Sequence, residues 1–137
     1  MALSFYEPLK ENEAILHNML QLAYVGDSVW EVIIRNELLR RGMNVHHMHA
    51  ACINYVNAHA QACFAEQIKN ELTEKELDVI RMGRNSHARH PSPKNQNPMD
   101  YSIATGFEAL IGFLYITGNE ERLLYLTKII MGGMEHA

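Results

Sequence analysis

A mostly α-helical fold is the reading that three features of the sequence favour. Apolar residues recur at three- and four-residue steps over long segments. Strand-like alternation is scarce. Helix start and stop signals stand where those segments begin and end. With 137 residues, 47% hydrophobic and 20% charged, the chain is long enough to bury a core and fits one domain spanning 1–137.

The first twelve residues, with Pro8, read as an irregular lead-in. They place acids where a secretory leader needs a basic start and an apolar core. From Glu13 to Arg41 the pattern is helical. Leu16, Leu20, Ala23, Trp30 and Ile34 line one side; Leu22, Val25, Val29 and Val32 line another. Apolar cover over so much of a helix predicts a place at the centre of a bundle. Arg40 and Arg41 followed by Gly42 supply the basic charge and the breaker expected at a helix C-terminus.

Val45 to Lys69 reads as one helix with Ile53, Val56, Ala60, Cys63 and Phe64 as its stripe. On such a helix Cys52 and Cys63 stand roughly 16 Å apart at ~1.5 Å per residue, beyond disulfide reach. Free, apolar-facing thiols fit a reducing cytoplasm. Thr73 and Glu76 have capping-box spacing and open a helix to about Gly83. Arg84 to Pro98, rich in Asn, Ser and Pro, is a loop long enough to be functional. Asn97-Pro98 is an N-cap followed by proline at the first helical position, opening a helix to Gly118. A last helix is expected over 120–131. The apolar run at 101–117 is shorter than the ~20 residues of a membrane span and contains Glu108, so it is read as a buried soluble helix.

The net charge of −4 is unevenly spread. Val79 to Met99 contains no acid but has Arg81, Arg84, Arg89 and Lys94, so a +4 segment is set against a body of −8. That asymmetry points to a polyanionic partner more than the total argues against one.

Two acids stand out. In LAYVGDSVWEVII, residues 22–34, Gly26-Asp27 interrupts an apolar helix where neither residue suits a core. Glu108 repeats this as the only charge between Tyr101 and Asn119, with Gly106 and Gly112 close by. A buried, unpaired carboxylate would be costly enough to take up a proton. Two isolated carboxylates converging on one divalent cation would resolve both, and Mg²⁺, which takes few carboxylates and keeps several waters, suits them. Equally, each acid is simply surface-facing or salt-bridged. The small residues beside them would let helices approach closely or leave room for water and substrate.

YVGDSVWEVIIRNELLRR, residues 24–41, resembles the signature helix of the ribonuclease III family. FEALIGFLYI, residues 107–116, is similar to that family's second motif, and INYVNAHAQA, residues 53–62, looks like the intervening helix. The resemblance runs from about Ala14 to Thr117, with the motifs in order. A chain of this length, with Gly83-Arg84-Asn85, Pro93-Lys94-Asn95 and Tyr101 before the second motif, resembles the compact bacterial branch, Mini-ribonuclease III.

The resemblance implies an all-α homodimer, a ribonuclease III endonuclease-domain bundle without a separate double-stranded-RNA-binding domain. It implies Mg²⁺-dependent hydrolysis of both strands of duplex RNA in the cytoplasm, with Mn²⁺ able to substitute. Large-subunit (23S) ribosomal RNA precursor would be the substrate, with a large-subunit ribosomal protein as a further partner. The essential aspartate falls on Asp27, the essential glutamate on Glu108, and the aromatic packed across the dimer on Tyr24. Two further acids usual in the family are replaced by Ala23 and Thr105. Arg81, Arg84, Arg89 and Lys94 are expected on phosphates, and Asn85 and Asn95 on sugar hydroxyls.

The competing reading is a non-catalytic RNA-binding or ribosome-associated module on the same fold, whose mark would be loss of either acid. A helical nucleotide phosphohydrolase would need several clustered acid pairs, which are not found. The histidines at 46, 47 and 49 and at 87 and 90 are not read as a metal centre, because no Cys or acid completes a tetrahedral set. His87 and His90 fit RNA contacts instead.

Overall fold

The computed structural model describes residues 6–86 and 94–135. Among these residues seven α-helices follow one another: α1 Glu11–Ala14, α2 Met19–Arg40, α3 Val45–Val56, α4 Ala58–Ile68, α5 Glu74–Asn85, α6 Pro98–Ile116 and α7 Glu120–Glu135, with a 3₁₀ turn at Lys69–Glu71. No strand occurs among the described residues, as predicted. None of these helices is long and apolar enough to cross a membrane.

The helix expected from Glu13 begins instead at Met19. Asn18 takes extended backbone angles, accepts from the Leu20 N–H at 2.8 Å, and has its own N–H capped by Gln21 Oε1 at 3.1 Å. This reciprocal cap stabilises a start there and strands Leu16 in solvent. The second predicted helix divides at Asn57. Its side-chain amide donates to the Ile53 carbonyl (2.9 Å) while its oxygen accepts from the Ala60 N–H (2.8 Å), closing α3 and opening α4. The break turns the expected stripe: Ile53 and Cys63 are exposed, whereas Cys52, Tyr55, Gln61, Phe64 and Ile68 are buried. Neither thiol is in a disulfide; Cys52 is buried and Cys63 is exposed, so only one of the two matches the apolar-facing expectation. The last helix extends past the expected Met131 to Glu135.

The central helix is α6, not α2. It packs against α2, α4 and α5 and touches α1 and α7. From Ala104 to Leu114 it is buried on nearly every side, Glu108 excepted. Trp30 of α2 meets Phe107 of α6 edge-on at 5.1 Å and Phe64 of α4 at 5.9 Å. Its indole N–H donates to the Tyr55 carbonyl at 2.9 Å, so the largest core side chain leaves no polar atom unpaired. The far side of α2 stays uncovered, with Tyr24 82% and Val32 55% exposed.

The predicted capping box at Thr73 and Glu76 forms, and Glu76 also receives two bonds from Arg122 of α7, each 2.8 Å. Burial pushes the Glu76 carboxyl up, but the Arg122 and Thr73 hydrogen bonds outweigh it and hold the group below its usual value. Folding therefore favours the charged form. The stabilisation is present above the ordinary carboxylate value of 4.5 and is lost as pH falls through the lowered one. Glu76→Ala would remove the carboxylate from Arg122 and leave it the Glu71 carbonyl and the Tyr125 ring, a loss of about 2–3 kcal/mol by urea denaturation at pH 7 that shrinks on acidification.

Candidate active site

Helices α2 and α6 meet backbone to backbone. A Cβ at Gly26 would lie 1.8 Å from the Glu108 carbonyl oxygen, and one at Gly112 would lie 2.0 Å from that of Leu22. Only residues without side chains permit this crossing. Its consequence is positional: Asp27 is carried beside Glu108, eighty-one residues further on. Of the two uses foreseen for small residues here, close approach of helices is the one the packing shows.

The acids do not share one environment. Asp27 is exposed, so the charge in the apolar run sits on the outer side of α2 and not in its core. Glu108 is half-buried. Desolvation, then a hydrogen bond to Asp27 and the Asp27 charge, push the Glu108 carboxyl up to about 8. Gln61, itself buried, donates Nε2–H to Glu108 Oε2 at 3.5 Å and works in the opposite direction. Burial and the neighbouring Asp27 charge together favour the protonated form of Glu108.

Glu108 and Gln61 line a cleft of about 460 Å³ between the α3–α4 junction and the first half of α6. Its other walls include Asn57, His59, Gln96, Asn97, Asp100 and Thr105. Thr105 occupies one position where an acid was expected; its hydroxyl donates to the Tyr101 carbonyl at 3.0 Å. Ala23, at the other, is buried. Among the described residues no three His, Cys, Asp or Glu side chains are placed to hold one metal. A water-rich ion held by two carboxylates fits the donors present: Asp27 and Glu108 are neighbours and offer only oxygen.

The basic residues are more dispersed than the sequence led us to expect. Arg81 pairs with Asp78 at 2.8 Å, an acid just outside the acid-free window. Arg81 and Arg84 line a separate groove with Lys69, Leu72 and Ile103. Asn85 ends α5 and is exposed. Lys94 and Asn95 are exposed and lead into Gln96 and Asn97 at the cleft wall. Arg89, His87 and His90 lie outside the described residues. His46, His47 and His49 are exposed on α3.

Sequence reasoning missed Gln61 and the pair His59–Asp100, whose Nδ1 and Oδ2 are 2.9 Å apart. An amide and an imidazole on an apolar-periodic stretch have no pattern of their own. Only the adjacency of α4 and α6 gives them significance.

The profile of the Ribonuclease III domain matches residues 20–119, which include the whole of this site. The chain is 46% identical over 105 residues to Mini-ribonuclease 3 of Symbiobacterium thermophilum, covering 76% of this chain and 80% of that protein. It is 38% identical over 122 residues to the protein of the same name from Clostridium tetani, covering 88% and 80%. A crystal structure of a protein from Fusobacterium nucleatum superposes with a TM-score of 0.78 at 29% identity, over 87% of this chain and 95% of that one.

Proposed function

Since the chain belongs to the ribonuclease III family, we propose that this endoribonuclease cuts both strands of duplex RNA with Mg²⁺ held by Asp27 and Glu108. The observation that supports this most is the pairing of the two carboxyls across the Gly26–Gly112 crossing, with Glu108 raised to about 8. The chemistry such an ion supplies is activation of water and neutralisation of charge on the phosphoryl oxygen.

The chain's own residues do the rest. Gln61 donates to one oxygen of Glu108 from the wall of the cleft that both residues line. The cleft receives the RNA backbone. Arg84 and Lys94, both exposed, contact phosphates, as does Arg81 once it leaves Asp78; Arg89 belongs to the same basic set. Affinity should fall steeply with salt. Asn85 and Asn95 reach 2′-hydroxyls, the groups by which a protein tells duplex RNA from DNA. Two copies joined through the exposed Tyr24 side of α2 bring two such sites to one duplex, and avidity stands in for a separate binding domain. The natural substrate we propose is a large-subunit ribosomal RNA precursor, presented by a large-subunit ribosomal protein, in the cytoplasm.

The test is incubation of a long RNA duplex and a single strand of the same sequence, with Mg²⁺ or EDTA. Cleavage of the duplex only, and only with Mg²⁺, is expected. Because Glu108 must lose its proton to hold the ion, the rate should climb as pH rises toward about 8. More Mg²⁺ should move that rise to lower pH, since cation and proton compete for the same oxygens. Activity in EDTA, equal cutting of the single strand, or a duplex shifted but never cut would each overturn this reading.

A further inference from the structure

The exposed turn of α4 next to the cleft contains a group of atoms that the cleavage chemistry leaves unused. Cys63 Sγ lies 3.7 Å from His59 Nε2, one helical turn away. The other ring nitrogen, Nδ1, lies 2.9 Å from Asp100 Oδ2 on α6. A carboxylate at that distance accepts from Nδ1–H, which fixes the tautomer and leaves the Nε2 lone pair facing the thiol. Both side chains reach solvent: His59 is 76% exposed and Cys63 is exposed.

These are the dimensions of one edge of a tetrahedral metal site. Zinc–sulfur and zinc–nitrogen bonds of about 2.3 and 2.05 Å at a tetrahedral angle separate the two donors by about 3.6 Å. The carboxylate on the far nitrogen completes the usual arrangement, in which a ligating histidine is held by an acid behind it. We propose that Cys63 and His59 form a two-ligand site for a thiophilic divalent cation such as Zn²⁺, with Asp100 orienting the imidazole. As the metal–sulfur bond forms, the thiol proton leaves to solvent, and the two remaining positions are filled by water or by an oxyanion. The Asp27–Glu108 pair offers only oxygen and suits a hard cation, so the two sites differ in kind. The second stands whether or not the nuclease reading does. Since His59 and Asp100 line the same cleft as Glu108, an ion here would occupy the path proposed for RNA.

Titration of the full chain with Co²⁺ alone, followed in the near-ultraviolet, reads a cobalt–thiolate bond directly. The wild type should develop a thiolate-to-cobalt absorption that Zn²⁺ displaces. Cys63→Ser and His59→Ala should lose it, Asp100→Asn should weaken binding about 10- to 100-fold, and Glu108→Gln should keep it. Circular dichroism of each variant establishes that it is folded. Because Cys52 is the only other cysteine and is buried, a band that survives Cys63→Ser, or no band in the wild type, overturns the proposal.

Discussion

Glu108→Gln should abolish duplex cleavage, by at least about 1,000-fold, and at the same time make the metal-free protein more stable at alkaline pH. The folded carboxyl titrates near 8 against an ordinary 4.5, so folding favours its protonated form. Stability is then fullest below 4.5 and declines as pH rises from there through about 8, as the proton is forced off beside Asp27. Glutamine keeps the shape and a donor toward Asp27 without that liability. Water at the half-buried group moderates the effect, and a rise in thermal midpoint of roughly 5–10 °C is expected at pH 8.5 in EDTA. At pH 4 the two proteins should melt alike. A variant less stable than wild type at pH 8.5 would mean that Glu108 has a structural partner other than Asp27 and Gln61.

Gly26→Ala acts at the same place through backbone geometry. The added methyl would fall 1.8 Å from the Glu108 carbonyl oxygen, where no side-chain rotation can relieve it. Helices α2 and α6 must separate, and these two contribute Trp30 and Phe107 to the core. Destabilisation of at least about 3 kcal/mol follows, enough to leave much of a marginal domain unfolded. Gly112→Ala, with 2.0 Å to the Leu22 carbonyl, should behave alike. Gly132→Ala meets nothing within 4 Å in α7 and should be neutral or stabilising by about 0.5–1 kcal/mol. Urea midpoints of the three variants measure this, and a well-folded Gly26→Ala protein would contradict the crossing.

The sequence was most legible where local chemistry decides the structure. The caps at Thr73 and Asn97 form where their residues indicate, and Gly42 follows the end of α2. It was less legible where one asparagine overrides a continuing apolar period. Asn18 and Asn57 each satisfy helix ends with their own side chains, and periodicity counts do not register that competition. The exposure of Asp27 was likewise hidden. A run apolar on several sides looks buried throughout, yet the uncovered side of α2 presents Tyr24, Asp27 and Val32. The two acids could be named from their isolation and their motifs. Their convergence on one cation was offered by the sequence as one of two readings, but the way they meet was not legible, because it depends on a helix crossing whose only trace in the sequence is two glycines.

The central claim is that Asp27 and Glu108 act as one site. Single-turnover cleavage of a uniform RNA duplex in Mg²⁺, by Asp27→Asn, Glu108→Gln and the double variant, tests it most directly. Groups that act as a unit are not additive. Each single variant should fall to near the uncatalysed background, and the double variant should be no worse than either. Full activity in either single variant, or losses that multiply in the double, would contradict it.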